Sequence, residues 1–273
     1  MAKISSRDRA QYLEKVEAYH VSIAAGLDKE KELLNAIKHD GEGAAFKRLA
    51  LVELMLNLSS YYLAQNGVSQ AVLKLRNEDA LNEGRRSVYK SVIYLEQIVT
   101  SLVDAPFSEY EENLKEIASF SPEHRYRLVR KMGLAINLLE KALGENSKWK
   151  WAFVDLEGRY AAAAKNLIDL KTVIAHTDPR SPHYAPTVYH MRLIKKLLMQ
   201  AADRYRERYE LSTSRVNDFE TGISFLQALR RILTIFRDRE EAGEVKRKLD
   251  TWENKLKNDR QREPLPRSAA VDG

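Results

Sequence analysis

The stretch from Arg85 to Val103, RRSVYKSVIYLEQIVTSLV, constrains the fold more than any other part of the chain. Val88, Val92, Leu95, Val99 and Leu102 step by three or four residues, and Ile93, Ile98 and Val103 widen that stripe beyond what a surface helix needs. A helix apolar over so much of its circumference belongs near the centre of a helical assembly. Forty residues on, RYRLVRKMGLAINLLEKAL follows the same pattern, with Arg85 aligned to Arg125, Val88 to Leu128, Lys90 to Arg130, Val92 to Met132, Ile98 to Leu138 and Val103 to Leu143. Both begin basic and end apolar. The pair reads either as a degenerate helical repeat with a shared positive rim or as two unrelated amphipathic helices, and the lack of a third copy favours the second.

The rest of the chain carries the same signal. Ser5 or Ser6 caps a first helix to about His39, with Leu13, Val16, Ile23, Leu27, Leu34 and Ile37 in rhythm; polar His20 and Glu30 on that seam favour an ordinary bundle helix over a coiled coil. A core helix is expected from about Gly43 to Gln65, stopped by Asn66-Gly67, and another from Val68 to Val103 that kinks at Gly84 or leaves the core around it. Asp104 to Ser108 is the best internal boundary, followed by a short acidic helix to about Phe120. Ser121-Pro122 opens a helix that Gly144 closes, and Asn146 or Ser147 opens one to about Ala175, whose alanine run 161–164 lets a neighbour approach closely. Pro179, Pro182 and Pro186 mark a connection. A helix from Thr187 to about Leu211 follows, then one from near Arg215 whose apolar phase slips around Asp238 to Gly243, as at a bend or a separate last helix.

Scarce glycine (11) and proline (7) beside 31% charged residues favour long, solvated helices over sheets. The absence of cysteine removes disulfides, thiolate catalysis and thiolate-held zinc, and fits a reducing compartment. With no window near the roughly 18 apolar residues of a membrane span and no apolar leader, a cytoplasmic protein is expected. Net charge is +6, and from Pro186 onward 19 basic residues face 14 acidic ones, so most of the excess lies in the last third.

Catalytic motifs fail one by one. The chain contains no phosphate-binding glycine loop, no HExxH and no GxSxG, and one ExxH pair, Glu17 to His20, falls short of the two such pairs a di-iron bundle needs. His176, Asp178, His183 and His190 cluster weakly as metal candidates near Arg180 and Tyr184, at a spacing that matches no known site, so a polar loop is the stronger reading. Basic clusters say more. Arg85, Arg86 and Lys90 with Tyr89, and Arg125, Arg127, Arg130 and Lys131 with Tyr126, would form a rim suited to anionic oxygens and amphipathic contact. The basic residues of the last third are interleaved with acidic ones, as on a solvated face with i,i+4 pairs.

The expected fold is therefore all-α: about eight mostly long antiparallel helices in a bundle or short superhelical array, with parts 1–104 and 108–259 packed as one continuous helical domain and a disordered tail over 260–273. The expected function is a non-catalytic cytoplasmic interaction or scaffold protein, without cofactor, that holds an acidic or amphipathic partner segment in an interhelical groove with a basic rim. The alternative is a nucleic-acid-associated protein using the basic last third. Self-association through the first helix, or through the stripe Val245 to Leu256, fits either reading.

Overall fold

A computed structural model describes residues 4–39, 41–144 and 148–262, and the fold is all-α. Among these residues the helices are α1 (Ser6–His39), α2 (Ala44–Val72), α3 (Glu78–Glu96), α4 (Glu111–Glu116), α5 (Pro122–Leu143), α6 (Lys150–Asn166), α7 (Val173–His176), α8 (Tyr184–Arg208), α9 (Val216–Ile235) and α10 (Arg239–Arg262). A 3-10 turn spans Phe107–Glu109, and a π-helical turn spans Tyr209–Thr213. The chain divides into two compact units, residues 1–194 and 195–273, so the division falls within α8. Residues 260–262 belong to α10; the rest of the expected tail, like the expected openings at Asn146 and Ser147, lies outside the described residues.

In the first unit α2 and α3 form the most extensive pair, with α1 on α2, α5 against both, and α6 on α3 and α5. Contacts along the helices give their directions. Tyr12 of α1 meets Asn77 at the start of α3, and Glu30 meets Lys90 and Tyr94 further along, so α1 and α3 run the same way. Gly84 of α3 lies against Leu139 of α5, while Arg76, just before α3, reaches the Leu143 carbonyl at the end of α5, so these two are antiparallel. The second unit joins the end of α8 to α9 and α10 around Phe219, whose ring stacks on Tyr209 at 5.0 Å and meets Trp252 at 5.4 Å.

Several boundaries differ from those the sequence predicts, each for a visible reason. Asn66-Gly67 does not stop α2. The buried Asn66 amide oxygen accepts the Asn77 backbone N–H across the hairpin at 2.9 Å, and the helix continues to Val72 before Lys74 turns the chain at φ 56°. The next helix then opens on Asn77, whose side chain accepts the Ala80 N–H. Gly84 is no kink; it permits close packing, since a Cβ there would lie 3.1 Å from a Leu139 methyl. That helix stops at Glu96 because Asn166 holds the carbonyls of Thr100 and Leu102 in a loop. The acidic segment after Ser108 shortens to a 3-10 turn and the six residues of α4, and the phase slip near Asp238 is a break between α9 and α10.

Two glycines inside helices should respond in opposite ways. A Cβ at Gly133 would lie 2.6 Å from the buried Tyr160 hydroxyl, which donates to the Val129 carbonyl at 2.8 Å. Gly133→Ala is expected to cost about 2 kcal/mol through displacement of that ring. Gly67 has nothing within 4 Å, so Gly67→Ala should stabilise α2 by roughly 0.5–1 kcal/mol. Urea unfolding of both variants checks the pair, and the same sign for both would contradict this packing.

Candidate functional site

The basic residues expected to share one rim do not. Because α3 and α5 are antiparallel, their basic starts lie at opposite ends of the pair. At the α3 end, Arg85 stacks its guanidinium 4.0 Å from the Trp149 ring, Arg86 pairs with Glu83, and the Tyr89 hydroxyl donates to the Ala152 carbonyl at 2.7 Å. Lys90 is drawn into α1: its ammonium donates to both oxygens of buried Glu30 at 2.9 Å, and Tyr94 donates to the same carboxylate at 2.6 Å. Burial and that carboxylate push the Tyr94 phenol well above its ordinary range.

Arg125 is a correction outright. It is 6% exposed, and its guanidinium donates to the carbonyls of Phe120 (2.8 Å), Leu167 (3.0 Å) and Ile117 (3.1 Å). It joins the ends of α4 and α6 to the start of α5 and offers nothing to a partner. Burial lowers its pKa, with the Asp169 charge acting the other way.

What remains on α5 is a coherent surface. Arg127, Arg130, Lys131, Leu134, Leu138 and Lys141 are all exposed and, at 3.6 residues per turn, share about a third of the helix circumference. Leu134 is 60% and Leu138 44% exposed, one turn apart. Arg127 pairs with Glu123 and Lys131 with Glu53 of α2, whereas Arg130 rests 5.6 Å from the Tyr126 ring, which stacks on exposed Tyr189 of α8 at 6.0 Å. The sequence does not single out these two leucines, because nothing local says which face of an amphipathic helix is covered.

The histidine loop lines a cleft of about 360 Å³ between α4, the start of α5, α7 and the start of α8. His176 and His183 meet edge to face with ring centroids 5.0 Å apart, while Asp178 is turned to Arg180, with an oxygen 2.7 Å from its guanidinium. His190 is buried and its Nε2–H donates to the Ala164 carbonyl at 3.0 Å. Among the described residues no three of histidine, aspartate or glutamate come together as a metal site, so the four candidates do not converge. Burial, together with the Arg125 charge, pushes the His190 pKa down to about 4.

In the second unit several basic residues are paired. Lys195 bridges Asp238 and Glu241 at 2.6 Å each, Lys248 meets Asp203 at 2.6 Å, and Arg208 pairs with Asp218. Such pairs suit a solvated helical surface.

Comparison with known proteins adds one positive finding. A family profile described as the TP0443 family matches residues 8–260. The chain belongs to the TP0443 family. The match covers both units and includes α5 and its exposed face, but the family description carries no activity. No protein of curated function and no solved structure matches the chain. No helix of the described residues is long and apolar enough to cross a membrane.

Two outcomes are expected. Arg125→Met should lower stability by about 3 kcal/mol by removing three buried hydrogen bonds to carbonyls, whereas Arg130→Met should change it by less than about 0.5 kcal/mol in the same urea titration. The second concerns pH. A histidine depressed from 6.5 to about 4 takes up its proton later in the folded than in the unfolded protein as pH falls. Its contribution is complete above pH 6.5 and is lost as pH drops toward 4, up to roughly 3 kcal/mol. The difference between wild-type and His190→Gln stability curves isolates this slope, and parallel curves would remove it.

Proposed function

We propose that the protein is a non-catalytic cytoplasmic interaction protein whose outer α5 face holds an acidic amphipathic helix of a partner. The carrying observation is the pair of exposed leucines, Leu134 and Leu138, set among Arg127, Arg130, Lys131 and Lys141. Burying an apolar i,i+4 pair supplies non-directional affinity, and the flanking cations select acidic residues beside it. Tyr126 and Tyr189 extend the surface with aromatic area and hydroxyl groups.

This reading keeps Arg127, Arg130, Lys131 and Tyr126 as contact residues, and drops Arg125 because it is buried. Arg85, Arg86, Lys90 and Tyr89 belong to a different end of the unit, where their groups are engaged with Trp149, Glu83, Glu30 and Ala152.

The test is purification of the tagged chain from its native cell, with and without nuclease, beside the variant Arg130→Glu/Leu134→Glu. A stoichiometric protein should survive nuclease with the wild type, and its purified form should bind the variant at least about tenfold more weakly, some 1.4 kcal/mol. Equal binding by both would overturn the site. Loss of everything on nuclease treatment would overturn the function in favour of nucleic-acid association.

A further inference from the structure

Helix α1 has two faces that matter. One is built into the unit: Val16, Ile23, Gly26 and Glu30 are buried. Gly26 lies so close to α2 that a Cβ there would stand 2.7 Å from a Leu58 methyl, and Glu30 is held by Lys90 and Tyr94 of α3. These contacts fix the rotation of the helix about its own axis. They therefore also fix what it shows to solvent.

About a quarter turn round from the buried face, a second stripe runs Leu13, Glu17, His20, Ala24, Leu27, Lys31, Leu34, all exposed. Its steps are four, three, four, three, four, three, the spacing by which one helix follows another in a coiled coil. Leu13 is 59%, Leu34 40% and Leu27 37% exposed, with Val21 open at the stripe's edge. Three large apolar side chains along one stripe of a 34-residue helix are more than scattered exposure.

The stripe reads nearly alike in both directions. Leu13 and Leu34 stand almost equidistant from Ala24, as do Glu17 and Lys31. We infer that α1 is a homodimerisation helix, and that two copies of the chain pack their α1 helices antiparallel with Ala24 at the crossing. In that arrangement Glu17 of each copy meets Lys31 of the other, so the two charged positions of the seam are each opposed by their complement. A parallel pair would set Glu17 on Glu17 and Lys31 on Lys31. Ala24, with no more than a methyl group, lets the two backbones approach at the centre. Lys31 already touches Asp28 within its own helix at 2.8 Å, but both side chains are mostly exposed, so exchange for Glu17 of the second copy costs little. A second copy is the occupant because the charge order complements itself. From Leu13 to Leu34 the contact would run about 32 Å. The stripe lies on a different helix from the proposed partner surface of α5.

Sedimentation equilibrium of the full chain tests this. The wild type should move from 31.4 kDa toward twice that mass as concentration rises. Leu27→Asp should hold it at the monomer mass. Glu17→Lys and Lys31→Glu alone should each raise the dissociation constant roughly tenfold or more, since each creates two like-charge contacts. The double variant Glu17→Lys/Lys31→Glu should recover wild-type association. Circular dichroism confirms that each variant remains helical. A wild type that stays monomeric at every concentration, a dimer indifferent to Leu27→Asp, or a double variant no better than the singles would each overturn the proposal.

Discussion

A guanidinium shut away from water must find its acceptors inside the protein, and the place with acceptors to spare is the end of a helix, where the last carbonyls have no amide to bond. Arg125 uses that surplus. Ile117 and Phe120 lie just past the end of α4 and Leu167 just past α6, and the one side chain gathers all three carbonyls from the first turn of α5. The arrangement answers two problems together: a buried charge is matched by three carbonyl dipoles, and those carbonyls, one of which (Ile117) also accepts the Phe120 N–H at 2.9 Å, gain a strong donor. It also ties the first turn of α5 to the ends of α4 and α6.

This interaction shows how far a sequence can be read. The long helices α1 and α5, with their capping serines, prolines and glycines, follow from local signals: Ser121 accepts the His124 N–H, Pro122 occupies the first helical position, and Gly144 ends the helix. The alanine run 161–164 is buried throughout, as its size suggests. What fails is anything decided by a distant partner. Asn66-Gly67 carries a turn signal, but Asn77, eleven residues on, makes the amide part of a hairpin corner and the helix passes through. Arg125 and Arg130 sit five residues apart in one basic run and end in opposite environments. No local rule separates them, because the difference lies in where α4 and α6 end.

The buried Glu30 poses the same problem in reverse. On the seam of α1 it reads as an imperfection, a charge where a coiled coil wants an apolar residue. In the folded unit it is the point to which Lys90 and Tyr94 converge, and so the residue that tells α1 which way to face. A charged group half-paid by a lysine that remains partly solvated gives modest stability; its stronger effect is on specificity, since any other rotation of α1 would leave the carboxylate unpaired. The outward stripe from Leu13 to Leu34 is a consequence of that choice.

Both exposed surfaces thus arise from the same economy of charge. Several cations are matched within the fold, as Lys195 is by Asp238 and Glu241 and Lys131 by Glu53, so where the positive charge lies says more than the net +6. Exposed pairs of this kind contribute little to stability, but they spread the charge and leave affinity to depend on apolar area. On α5 that area is Leu134 and Leu138, and on α1 it is Leu13, Leu27 and Leu34. The ions around each then act on orientation and choice of partner: a mixed acidic and basic stripe suits a copy of itself in reverse, whereas a mainly basic surround suits an acidic stranger. The sign pattern beside each apolar stripe, more than the total charge, is therefore what distinguishes the two faces.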